Sequence, residues 1–188
     1  MKRLRTKQLI FLAYFLGIFI LRKIGSFSFS LLFLRLSAWE LVLWLAGAIL
    51  GGYFVKLDQL VYVYFTQPEA LLSLEIKSLI KQKRKKEAWN LLCQRGGEQN
   101  LAFRSALFQA GWTVLAFFTL TSTKVIFGKI MVMAVGLHLL LNEWEAILSG
   151  RGIAWIFWQI KREVGLKEQK WFLGGMTLVF GILSLLLI

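Results

Sequence analysis

His138, Asn142 and Glu145 fall at i, i+4 and i+7, a spacing that puts all three on one face of a helix. Asp58 stands alone in Lys56-Leu57-Asp58-Gln59-Leu60, and Arg104, Ser105 and Gln109 form a third polar set at the head of an apolar run. An imidazole and a carboxylate are ligands for a divalent ion and partners in acid–base chemistry. Asp58, Ser105 and His138 are therefore the candidate catalytic residues, with Asp58 and His138 the candidate metal ligands. A catalytic zinc takes about three nitrogen, sulfur or carboxylate ligands plus an open position, and Ser105 is a poor third. No metal or other cofactor is the leading expectation, and a divalent ion the alternative. The bland alternative for His138 is a hydrogen bond across helices, with Asn142 and Gln109 as partners. Asp58 has Lys56 and Arg104 as possible counter-charges, while Glu143 and Glu145 are placed to face headgroups or pair with nearby basics.

These groups sit in a chain that is wrong for water. Of 188 residues, 57% are apolar, against about 45–50% in typical globular proteins. Only 18% are charged, and the mean hydropathy is +0.64. Sixteen Phe, eight Trp and four Tyr exclude disorder, because such side chains must be buried somewhere. Cys93 has no second cysteine in the chain, which excludes an internal disulfide framework. The composition predicts an all-α, polytopic transmembrane bundle, since a span needs about 20 mostly apolar residues.

Five segments qualify as spans: about 8–24, 38–57, 101–123, 125–148 and 171–188. Leu9–Leu21 is short for a crossing, and Lys7, Arg22 and Lys23 at its ends extend it by snorkelling. It reads as an uncleaved signal-anchor, because Arg22-Lys23 follows it and not a small-residue cleavage site. Charge supports the count. With five spans, seventeen basic residues fall on the side of the N-terminus and of the stretches Lys56–Arg95 and Arg151–Lys170, against five on the other. The positive-inside rule then puts the N-terminus in the cytoplasm and the C-terminus outside, as in a bacterial inner membrane. Gly25–Leu36 reads as a connector at the outer interface. On the second span, Gly47 with Gly51 and Ala48 with Gly52 form two small-xxx-small patterns suited to close helix packing.

The basic loop 58–100 is the only sizeable non-membrane stretch. Pro68 and Glu69 mark a helix start, with Thr66 as its cap, and Leu72, Ile76, Leu79 and Ile80 supply one apolar face. Lys77, Lys81, Lys83, Arg84, Lys85 and Lys86 form the polar side, and Gly96-Gly97 closes the unit. Two readings stand: a helix that binds anionic lipid headgroups, or a loop that only sets topology. Nucleic acid is not expected as a partner, because no reading module fits in so short a segment. Ile153–Val164, rich in Trp and Phe and followed by charge, reads as a second amphipathic helix at the cytoplasmic surface.

The order of these polar segments resembles the membrane-bound metal-dependent-hydrolase-like proteins of bacterial inner membranes, LexA-binding hydrolases among them. Those proteins end one span in an acidic Pro-Asp-x-Asp-His segment, open another with a His/Ser element and carry His-x-x-x-Asp on a third. Val55-Lys56-Leu57-Asp58-Gln59, Phe103-Arg104-Ser105 and Gly136-to-Asn142 stand in those places, over roughly residues 40–145. The resemblance implies a hydrolase of lipid-linked or phosphate-bearing substrates, with Asp58 and His138 as residual metal ligands. Lys56, Gln59, Arg104 and Asn142 replace family ligands, however, and Lys56 and Arg104 bring positive charge to a cation's place. The expectation is a degenerate member: a non-catalytic scaffold or binding protein with Asp58, Ser105 and His138 converging on a polar inner-leaflet pocket.

Overall fold

The computed structural model describes residues 2–24, 31–95, 101–160 and 162–187. Among the described residues the chain is all helical, with seven α-helices and no strand. They are α1 (Lys2–Ile24), α2 (Leu31–Val61), α3 (Leu71–Lys81), α4 (Lys85–Arg95), α5 (Ala106–Ser122), α6 (Ile126–Leu148) and α7 (Leu166–Leu185). A π-helical turn, Tyr62–Thr66, prolongs α2, and 3-10 turns cover Ala102–Arg104 and Ala154–Phe157. Among the described residues, two helices are long and apolar enough to cross a membrane by length and composition: Trp39–Thr66, with 28 residues, and Ile126–Leu148, with 23.

α6 is the centre of the bundle. Ile130, Met133, Ala134, Leu137 and Leu140 are buried on it, and α2, α5, α7 and α1 all pack against it. α2 approaches α6 most closely because Gly47 and Gly51 have no side chains there. A Cβ on Gly47 would lie 2.8 Å from the Phe127 carbonyl oxygen, and one on Gly51 would overlap the Met131 carbonyl oxygen and Ala134. The pairing of Gly47 with Phe127–Met131 and of Gly51 with Met131–Ala134 means that α2 and α6 run parallel. α5 runs against α6, since Gly136 accommodates the Trp112 ring and Gly128 faces Thr119. The Trp112 indole donates to the Val132 carbonyl at 2.9 Å.

α1 runs against α2, with Phe15 and Phe19 edge-on to Trp44 and Phe11 against Gly52. α7 runs against α6: Trp144 donates to Thr177 at 3.1 Å, and Phe180 stacks on Trp112 further up. Tyr14 and Ser184, whose hydroxyls lie 2.6 Å apart, tie α1 to α7. Thus α1, α2, α5, α6 and α7 alternate in direction through one core.

Several boundaries differ from the sequence expectation. The Gly25–Leu36 connector is helical from Leu31 onward, and 25–30 lies outside the described residues. α2 with its π-turn runs well past residue 57. Its 31 α-helical residues alone reach about 46 Å at 1.5 Å each, against a hydrocarbon core of about 30 Å.

The basic loop is a helical hairpin and not one helix. α3 begins at Leu71, with Ala70 and not Thr66 as its cap residue. α3 ends where Lys83 takes a left-handed backbone (φ 62°), its N–H bonding Ile80 and the Arg84 N–H bonding Leu79. α4 then packs Ala88 and Leu92 with Ile76, Tyr62 and Val63 in a second, smaller core. Gly96-Gly97 lies outside the described residues. Ile153–Val164 is not an amphipathic helix. Gly150 (φ 76°) ends α6, Gly152 (φ 68°) turns the chain, and Ile153, Ile156 and Phe157 are buried in the main core.

Candidate functional site

The polar groups gather at the end of the bundle where α2 and α6 finish and α5 and α7 begin. Asp58 is wholly buried on α2. Its Oδ2 accepts the Phe103 N–H at 2.8 Å. The carboxylate therefore serves as anchor for the turn Ala102–Arg104, which Phe103 further fixes by stacking on Phe54, ring centroids 5.2 Å apart. The Arg104 guanidinium supplies the facing positive charge. Among the described residues, Asp58 Oδ1 and Arg104 Nε have no hydrogen-bond partner. Of the two expected counter-charges, Arg104 is in place; the side chain of Lys56 lies outside the described residues.

Ser105 follows that turn and is also buried. Its hydroxyl donates to the Ala102 carbonyl at 2.8 Å and accepts the Phe108 N–H at 3.2 Å, which makes it the N-cap of α5. N-caps of this type contribute about 1 kcal/mol. Asp58 and Ser105 are thus brought together, but by holding one turn of backbone between them.

His138 lies one turn beyond Ala134, on the face of α6 that meets α2, and is half-buried. Each of the partners expected for it carries another contact. Asn142 accepts from the Lys7 ammonium at 2.7 Å, and Gln109 donates to Glu143. Among the described residues no three His, Cys, Asp or Glu side chains come together to hold an ion. The donor set also fits a metal poorly, because the Asp58 carboxylate already accepts the Phe103 amide and faces a guanidinium.

One polar contact departs from the sequence expectation. Glu143, expected at the headgroups or on a nearby basic residue, is buried against α5 and paired with Gln109; among the described residues Glu143 Oε2 and Gln109 Oε1 have no hydrogen-bond partner. The signal was periodic: Gly136, Leu140 and Glu143 form one stripe, and Gly136 is where Trp112 of α5 enters. Glu145 does pair with a basic residue, Lys7 of α1. Beside this pair a cleft of about 300 Å³ opens between α1 and α6.

On the hairpin, Lys81, Lys83, Arg84, Lys85 and Lys86 are exposed, while Lys77 bonds the Pro68 carbonyl at 3.0 Å and lies over the Tyr64 ring. Glu87 takes Arg84 in a two-pronged pair, at 2.8 and 2.5 Å. That hydrogen bond holds the Glu87 carboxyl below its ordinary value, so the pair is intact at neutral pH and lost only as pH falls through the lowered value.

Comparison with family models, with curated proteins and with solved structures finds no match to this chain.

Proposed function

We propose that the chain is a five-span protein of a bacterial-type cytoplasmic membrane, N-terminus inside and C-terminus outside, which binds or scaffolds and does not catalyse. The observation that carries this reading is the use of Asp58 and Ser105. The groups a hydrolase would employ are committed to the backbone of 102–108, and a guanidinium stands where a cation would be needed. In these terms the family resemblance describes a degenerate member.

The spanning count draws support from the alternating directions of α1, α2, α5, α6 and α7. Alternation returns Lys7, the basic hairpin and the 151–170 segment to one end, which matches the seventeen-to-five charge split. Outward faces carry large apolar side chains in rows, such as Leu9, Leu12 and Leu16 on α1, Leu115 and Phe118 on α5, and Leu178, Ile182 and Leu185 on α7. Apolar surface of that extent suits lipid and not water. The hairpin's exposed lysines then meet anionic headgroups, each contributing about 1 kcal/mol near the surface.

Thermal melts of the purified protein with zinc or manganese test the non-catalytic reading. No shift is expected beyond that of a magnesium control at equal ionic strength; saturable stabilisation by one equivalent of either ion would contradict it.

A further inference from the structure

We propose that the cleft between α1 and α6 binds one phospholipid with a zwitterionic, primary-ammonium headgroup. The inference rests on the membrane reading above and adds a ligand to it. The cleft holds about 300 Å³, at the lower end of the roughly 300–1,000 Å³ of small-molecule sites. That is room for a headgroup, with the acyl chains left to lie along the outer surface. The walls suit this: Ile10, Trp144 and Leu148 line the cleft and are themselves exposed on the outer face.

The polar rim is built from both signs of charge. Lys7 and Glu145 pair across it, with side chains 27% and 28% exposed, so each is reachable from the cleft. An ammonium has three N–H donors and a carboxylate about four acceptor positions. Asn142 and Glu145 take two of the Lys7 donors; the third can meet a phosphate oxygen. Arg151, whose Nε donates to Ser149 Oγ on the cleft wall at 3.0 Å, is exposed beside it and offers a second cation to the phosphate. Glu145 accepts from the headgroup ammonium. The cleft also sits at the C-terminal end of α6, where the helix dipole favours a cation.

Lys7 and Arg151 draw the phosphate, and Glu145 beside them adds a preference for a headgroup that also carries N–H donors. The carboxylate needs N–H donors, which a trimethylated ammonium lacks. This sets the cleft apart from the hairpin, whose basic residues select anionic surfaces by charge alone.

The test uses full-length, delipidated protein in mild detergent, with native mass spectrometry and thermal melts as readouts. The probes are phosphatidylethanolamine, its N-methylated series through phosphatidylcholine, and phosphatidylglycerol. Phosphatidylethanolamine is expected to remain bound and raise the melting temperature, each methylation to weaken binding, and phosphatidylcholine to bind at least about tenfold more weakly, equivalent to 1.4 kcal/mol. Glu145→Gln is expected to abolish the difference between the first and last of that series. Equal binding of all three headgroups, or a preference that survives Glu145→Gln, overturns the site. The methylation series on the unaltered chain decides the matter if the variant fails to fold. Alkaline carbonate extraction separates the two levels. A chain released from membranes overturns the membrane reading and the site with it, whereas a retained chain without headgroup preference overturns the site alone.

Discussion

The Asp58 carboxylate accepts the Phe103 backbone N–H at 2.8 Å, joining positions 45 residues apart. The contact closes the excursion that contains the basic hairpin and fixes where α5 starts relative to the end of α2. One acidic side chain thereby does for the turn Ala102–Arg104 what a repeated backbone ladder does inside a helix. Removing it strands the Phe103 amide and leaves the Arg104 guanidinium buried without its counter-charge.

Gly51 makes the tightest approach to a neighbouring backbone among the described glycines, and its replacement is expected to be costly at the smallest scale. Gly51→Ala forces α2 away from Met131 and Ala134, at about 1–3 kcal/mol for overpacking. Gly174→Ala, where nothing lies within 4 Å, serves as control and is expected to be neutral or slightly stabilising. Thermal melts in detergent compare the two.

Glu143→Gln is expected to leave stability unchanged or raise it. The new amide group keeps the acceptor for Gln109 and adds a donor for Gln109 Oε1, which has no partner in the native pair. Gln109→Leu strands Glu143 and is expected to cost about 1–3 kcal/mol or more. A large loss in Glu143→Gln would show that the carboxylate has a role beyond this pair.

Lys83 is a non-glycine residue in the left-handed region, at a helix end where glycine is favoured. Lys83→Gly is expected to stabilise the α3–α4 hairpin by up to about 1 kcal/mol, and Lys83→Val to destabilise it. Hydrogen exchange of the Leu71–Arg95 amides reads both effects locally.

Reporter fusions after Ser37, Arg95, Thr123, Gly150 and the C-terminus are expected to alternate outside, inside, outside, inside, outside. A cytoplasmic C-terminal reporter would mean that one of the five segments does not cross.

The sequence carried the helices whose apolar faces are continuous. The expected 125–148 span is α6, Ile126–Leu148, because its core stripe recurs at the helical period without a break. α4 was hidden because Lys85-Lys86-Glu87 dominates its start, with Ala88 and Leu92 the buried apolar positions among its described side chains. The Ile153–Val164 expectation failed because clustered aromatics imitate an amphipathic face, while the paired turns at Gly150 and Gly152 set a tighter path. Asp58, Ser105 and His138 stood out as polar groups in apolar sequence. What Asp58 and Ser105 bond was not legible, since backbone amides at 102–108 bear no mark of which distant carboxylate will reach them.

The most direct test is the comparison of Asp58→Ala with His138→Ala for thermal stability and metal content. Asp58→Ala is expected to cost about 3–5 kcal/mol, because it leaves a buried charge unpaired. His138→Ala is expected to cost about 0.6 kcal/mol, the average for a polar contact between membrane helices. Elemental analysis of the unaltered protein is expected to find no stoichiometric zinc or manganese. About one metal per chain, lost in both variants while the fold survives, would contradict this account and make Asp58 and His138 the ligands of a hydrolase.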